Sequence, residues 1–202
     1  MIRITDLNKA FGEKVLFKDF NAVIEDGEFV TFSGDSGCGK STLLNMIGSI
    51  EPIDSGEILA EGIDVSRAKN RMKLFRQVYG FIFQNFALVE NKTVEENLAL
   101  ILPKYSSGVS IEDALESVGL GGFQETKVYK LSGGEQQRVA LARLMMKKCS
   151  IILADEPTGS LDKKNAAAVM DIIGKLNKQG KTILLVTHDE KLKKSGDRVI
   201  TL

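Results

Sequence analysis

Residues 34–42, GDSGCGKST, lie between an apolar run, FVTFS at 29–33, and a run with helical spacing, STLLNMI at 41–47. Few folds accommodate that arrangement. Gly34, Gly39, Lys40 and Ser41 occupy the fixed positions of a GxxxxGK[ST] phosphate loop, which needs a strand before it and a helix after it. Glycines there let backbone N–H groups converge on phosphate oxygens. The lysine reaches the β and γ phosphates, and the serine hydroxyl suits Mg²⁺. The whole stretch, Gly34, Asp35, Ser36, Gly37, Cys38, Gly39, Lys40, Ser41 and Thr42, is thus a candidate nucleotide cradle.

The remaining pattern agrees with an α/β fold. Residues 2–32 alternate apolar and polar side chains with turn signals at FGEK and EDGE, predicting a β-rich opening. Short strands return at GEILAEG and VYGFIFQ around a basic helix, SRAKNRMKLFRQ. From Thr93 the spacing is helical, through TVEENLALIL, SIEDALESVGL and GGEQQRVALARLM. SIILADEP, NAAAVMDIIGKLN and TILLVTHDE then alternate strand and helix, as in a parallel sheet with crossover helices. The expected architecture is one nucleotide-binding domain over 1–202, with an antiparallel β subdomain and a helical insert at 85–147.

Twenty-seven basic and 27 acidic residues leave no net charge to draw the chain to nucleic acid or an anionic membrane, so no nucleic-acid partner is expected. Cys38 and Cys149 are far apart in sequence, which favours neither a disulfide framework nor a metal site and fits a reducing cytoplasm. The N-terminus has no apolar segment behind a basic start, and the longest aliphatic runs have the length of core strands. The basic run Arg67, Lys69, Arg71, Lys73 and Arg76 reads first as a solvated helix face.

Two carboxylates end the apolar strand IILADEP. In a doubly wound sheet ligands bind at the carboxyl ends of strands, which directs Asp155 to a metal shell and Glu156 to an attacking water. A second glycine turn, KLSGGEQQR at 130–138, opens another helix. Ser132 with Glu135 three residues on reads as a capping box, but a cap by itself does not call for two glycines. The exposed N–H groups of such a start also suit an anion.

With these motifs in order, the chain resembles the nucleotide-binding subunit of an ATP-binding cassette (ABC) transporter over essentially its whole length. LSGGEQQR matches that family's signature, GDSGCGKST its phosphate loop, IILADEP its metal and base strand, SLD at 160–162 its dimer-contact loop and THD at 187–189 its histidine switch. GFIFQN followed by TVEENL is similar to the macrolide-export and lipoprotein-release branch, which also admits a bacteriocin or peptide exporter. The resemblance implies an ATPase, converting ATP and water to ADP and phosphate, that works with Mg²⁺. It also implies a homodimer, or a pair with another ABC subunit, in which the signature of one chain faces ATP held by the other. Ser132, Gly133, Gly134 and Gln136 then contact a partner's nucleotide. Ser41, Gln84 and Asp155 hold the metal, and Glu156, His188 and Gln84 serve hydrolysis. Phe11 stands where the family stacks an aromatic ring on adenine, an ordinary core phenylalanine being the other reading. His188, the only histidine, would by periodicity alone be a structural residue.

The implied role is to power export or extraction of a substrate by a separate integral membrane permease, at the cytoplasmic face of the membrane. Phe86, Leu88 and Val89, either core or groove, stand where the family receives a cytoplasmic helix of that permease. The alternatives are a signalling ABC ATPase of the cell-division type and a soluble ABC protein of translation or repair. The latter carry tandem cassettes or long coiled coils, which this sequence lacks. The insert is shorter than in many relatives, and DRVITL ends short of their common tail, so no regulatory domain is expected.

Overall fold

In the computed structural model, which describes residues 1–159, 161–189 and 192–202, the alternating opening forms two long antiparallel strands, β1 (Ile2–Phe11) and β2 (Lys14–Ile24). Left-handed Asp6 interrupts the register of β1 between Ile4 and Leu7, so that Ile2, Ile4 and Leu7 all face inward despite uneven spacing. After β3 (Phe29–Ser33) and α1 (Lys40–Ile47) come β4 (Ser55–Ala60) and β5 (Ile63–Asp64). These complete an antiparallel sheet of order β2-β1-β4-β5.

The basic helix α2 (Ala68–Lys73) buries none of its residues, as a solvated face predicts. It passes through a π-helical turn, which buries Leu74 and Val78, into β6 (Tyr79–Ile82). Three helices follow, α3 (Val94–Leu98), α4 (Ile111–Ser117) and α5 (Gly133–Met146). The chain then returns through β7 (Ile151–Asp155), α6 (Lys163–Lys178), β8 (Thr182–Val186) and β9 (Arg198–Thr201).

The second sheet is parallel, in the order β6-β7-β8-β3-β9. Two of its central strands carry unbroken apolar runs, Ile151–Ala154 of β7 and Ile183–Val186 of β8, because both faces are covered. In β7, Ile151 and Leu153 join the core shared with α1 and the antiparallel sheet, while Ile152 and Ala154 join the core shared with α5 and α6. β8 divides in the same way, Leu184 and Val186 on one side and Ile183 and Leu185 on the other. Each fully buried aliphatic side chain contributes about 1.5–3 kcal/mol, so these strands anchor the carboxyl edge on which the candidate residues sit.

Candidate nucleotide site

The order β6-β7-β8-β3 sets the carboxyl ends of four strands side by side, and a candidate follows each of them. Gln84 follows β6, Asp155 and Glu156 end β7, His188 follows β8, and the phosphate loop follows β3. In parallel sheets this edge collects the helix N-termini and loops that hold ligands.

Gly39 begins α1 with φ 107°, and a β carbon there would lie 2.9 Å from the Phe17 ring, so no other residue fits. No side chain caps this helix start, which leaves its first N–H groups for an anion. The Lys40 side chain is buried. Its ammonium donates to the carbonyls of Gly34 (2.9 Å) and Asp35 (2.7 Å) and lies 3.7 Å from Cys38 Sγ. Phe11, Lys14, Gly37, Lys40, Ser41, Thr42 and His188 line a cleft of about 230 Å³ here. Phe11 is half exposed, which removes the core reading, and the Lys9 ammonium lies 4.7 Å from its ring centroid. Ser36 and Asp35 are exposed at the loop tip.

A second cleft, of about 650 Å³, shares Ser41 and His188 with the first and adds Gln84, Asp155, Glu156, Thr158 and Asp189. The Ser41 hydroxyl donates to Asp155 Oδ1 at 2.9 Å. A hydroxyl, a carboxylate and an amide oxygen facing one cleft fit Mg²⁺, which takes few protein ligands beside water and phosphate oxygens. Burial pushes the Asp155 carboxyl up, against the Ser41 hydrogen bond. Glu156 has a left-handed backbone, φ 46°, fixed by its N–H bond to the Val186 carbonyl. Such strain at a strand end persists only where the surroundings hold it. Its Oε1 is buried, accepts no hydrogen bond and lies 3.5 Å from His188 Nε2. Burial raises the Glu156 carboxyl above the ordinary glutamate range, His188 opposing and Asp155 assisting. The His188 side chain is 60% exposed, so it is no buried structural histidine.

Ser132, Gly133, Gly134 and Gln136 line neither cleft. Ser132 caps α5, its hydroxyl accepting from Glu135 N–H and donating to the Glu135 carboxylate. Gln136 Nε2 donates to the Leu131 carbonyl at 3.1 Å. Gly134 has a packing reason of its own, since a β carbon there would lie 2.8 Å from Asn165 Cγ, whereas Gly133 stands in the open. Packing against Asn165 therefore accounts for a glycine at 134 independently of any ligand, and no such contact accounts for one at 133. Of the SLD stretch, Ser160 lies outside the described residues, and Asp162 caps α6 by accepting from Lys164 and Asn165 N–H.

Two further residues escaped the sequence reading. Lys14 enters the first cleft because it pairs with Phe11 across the β1–β2 turn, and its ammonium donates to the Gly37 carbonyl at 2.9 Å. Fully buried Gln137 ties α5 to the turn after β7 through the Pro157 carbonyl, 2.9 Å away. Neither position has a periodic signal. Phe86, Leu88 and Val89 do not line the apolar groove of the helical side. Phe75, Phe81, Phe83, Leu100, Leu102, Tyr105 and α5 do, while Leu88 packs against the helical core.

A family model described as ABC transporter matches residues 17–159. The chain belongs to the ABC transporter family. The ABC transporter ATP-binding protein MJ1508 of Methanocaldococcus jannaschii is 41% identical over all of this chain and 95% of its own length. The macrolide export ATP-binding/permease protein MacB of Campylobacter jejuni is 39% identical over all of this chain, which spans 33% of MacB. Among solved structures, the dimeric cassette MJ0796, from the same Methanocaldococcus, matches with a TM-score of 0.88 and 38% identity, covering 100% of this chain and 94% of that one. A dimeric post-hydrolysis state of MJ0796 bound to ADP and phosphate matches with a TM-score of 0.85. The two sheets and their helices therefore form an ABC ATPase cassette.

Proposed function

We propose that this cassette binds ATP with Mg²⁺ and hydrolyses it as the motor subunit of an ABC transporter, powering export or extraction of a substrate by a separate membrane permease. One observation carries the reading most directly. The buried, unpartnered Oε1 of Glu156 faces the cleft that also holds Ser41 and Asp155, with His188 alongside. A carboxylate with a raised proton affinity and a free lone pair is equipped to orient and deprotonate a water. Lys40 and the open N–H groups of α1 bind the phosphates, and Phe11 stacks on the base. Ser41, Asp155 and Gln84 hold Mg²⁺, which when bound neutralises charge on the phosphates.

Residues 85–147 act as a helical subdomain within the single cassette. Ser132, Gly133, Gly134 and Gln136 serve the nucleotide of a second copy or a paired ABC subunit, as the dimeric cassettes of a relative support. The link to a permease on the cytoplasmic face draws support from MacB, whose name joins an ATP-binding and a permease part. No helix among the described residues is long and apolar enough to cross a membrane.

Glu156→Gln should retain ATP binding and lose turnover by about a hundredfold or more, because the amide accepts no proton. With ATP trapped, light scattering should show the mass doubled. Normal steady-state hydrolysis in that variant would remove Glu156 from the mechanism. Copurification of an integral membrane protein with the wild-type chain tests the transport half of the reading.

A further inference from the structure

Phe11 ends β1 at the first cleft with little packing of its own to aim it. Its ring is half exposed, joins neither hydrophobic core and meets no other aromatic ring among the described residues. A side chain without support turns among its rotamers, and ordering it when a base arrives costs affinity. The contact that orients it comes from two residues earlier on the strand. There the Lys9 ammonium stands over the ring, 4.7 Å from its centroid.

Lys9 is itself firmly held, its side chain only 5% exposed. The ammonium donates to the Pro52 carbonyl at 2.8 Å and pairs with Glu51 Oε1 at 2.8 Å and Asp54 Oδ1 at 3.3 Å. Three N–H donors thus meet three oxygens, which gives the ammonium one position. The second oxygen of Asp54 accepts the Ala10 N–H at 2.7 Å and fixes the backbone between Lys9 and Phe11 as well. Glu51, Pro52 and Asp54 all lie in the connection from α1 to β4, so the helix that opens at the phosphate loop leads into the segment that anchors the ring. Two carboxylates balance the ammonium, which therefore supplies position rather than net charge. Lys9 lines neither cleft, and it bears on a ligand there through the ring.

We infer that Lys9, anchored by Glu51, Pro52 and Asp54, is a positioning residue for base recognition, setting the Phe11 ring before the nucleotide arrives. This rests on the stacking reading of Phe11 and adds the residue that aims it. A cation held over a ring in this way is worth about a factor of five in affinity. The loss on removing it falls on the base, because Lys40 and the start of α1 serve the phosphates.

The test compares the binding of ATP with that of inorganic tripolyphosphate, which has the phosphates and no base. Lys9→Met should weaken ATP about fivefold and leave tripolyphosphate at its wild-type affinity, and in turnover the loss should appear in KM rather than in kcat. Lys9→Gln, which can still donate to the two carboxylates, covers the case in which methionine leaves them unpaired and impairs folding. It should show the same selective loss. In a Phe11→Ala background, Lys9→Met should have no further effect on ATP, since residues that act as one unit are not additive. Wild-type ATP affinity in both Lys9 variants overturns the inference. So does an equal loss for ATP and tripolyphosphate, or an undiminished loss in the Phe11→Ala background, each the result expected of a lysine that only stabilises the fold. If Phe11→Ala alone leaves ATP affinity unchanged, the stacking reading fails and this inference with it. If Phe11→Ala weakens ATP selectively and the Lys9 variants do not, only this inference fails.

Discussion

At Gly134 there is no room for a β carbon, because Asn165 fills the space and is itself held by hydrogen bonds to Asp162 and Arg138. At Gly133 the nearest atom to an added carbon is in the Phe86 ring, 3.8 Å away. Packing therefore requires a glycine at 134, whatever else it does, and does not require one at 133. Gly134→Ala should lower stability by about 1–3 kcal/mol, the usual cost of overpacking, visible as a drop in thermal midpoint. Gly133→Asp should melt like wild type yet hydrolyse ATP about a hundredfold more slowly, since it sets a carboxylate where a phosphate is to be received. A collapsed thermal transition for Gly133→Asp would show that it too is a packing residue.

At the level of elements, α5 is the connecting piece. Its start carries the signature, Gln137 in its second turn binds the Pro157 carbonyl, Arg143 holds the turn after Gln84, and its end lines the apolar groove. Its N-terminus is maintained by the Ser132–Glu135 box, and the hydrogen bonds from Ser132 hold the Glu135 carboxyl below its ordinary value of 4.5. A depressed carboxylate pKa contributes stability that is fully present above the unfolded value and is lost as pH falls through the folded one. Ser132→Ala should cost about 1 kcal/mol near neutral pH. The gap in thermal midpoint between variant and wild type should then narrow as pH is taken down from 7 to below the depressed Glu135 value. A gap that stays constant across that range would mean that the ionised cap contributes nothing.

For the whole molecule, the separation of the signature from both clefts has a direct consequence. If each site combines Lys40 of one copy with Gly133 of another, Lys40→Ala and Gly133→Asp homodimers should each be inactive. A mixture should regain activity in proportion to the heterodimer, in which one site carries both lesions and the other carries none. Sites contained in one chain would always carry a lesion, and no activity would return. A tandem-linked dimer with one wild-type half then tells whether a single intact site turns over.

How far the sequence reaches follows from how local each feature is. The phosphate loop is legible because its geometry is set by consecutive residues: Gly39 meets φ 107° and the Phe17 ring, and the next two positions present Lys40 and Ser41. The buried strands are equally legible, since the unbroken apolar runs Ile151–Ala154 of β7 and Ile183–Val186 of β8 arise only if both faces are covered. Lys14 is not legible, because only the pairing of β1 with β2 brings it to Phe11. The apolar groove beside α5 is not legible either, because it is assembled from segments around residues 75–83, 100–105 and 140–147. Sequence by itself determined which candidate residues sit at which strand ends, because hydrogen bonding and burial along a strand or helix are periodic and short in range. Only the tertiary structure decided which distant segments share a wall and which of two glycines packs against Asn165, because those depend on how separate elements exclude water from one another.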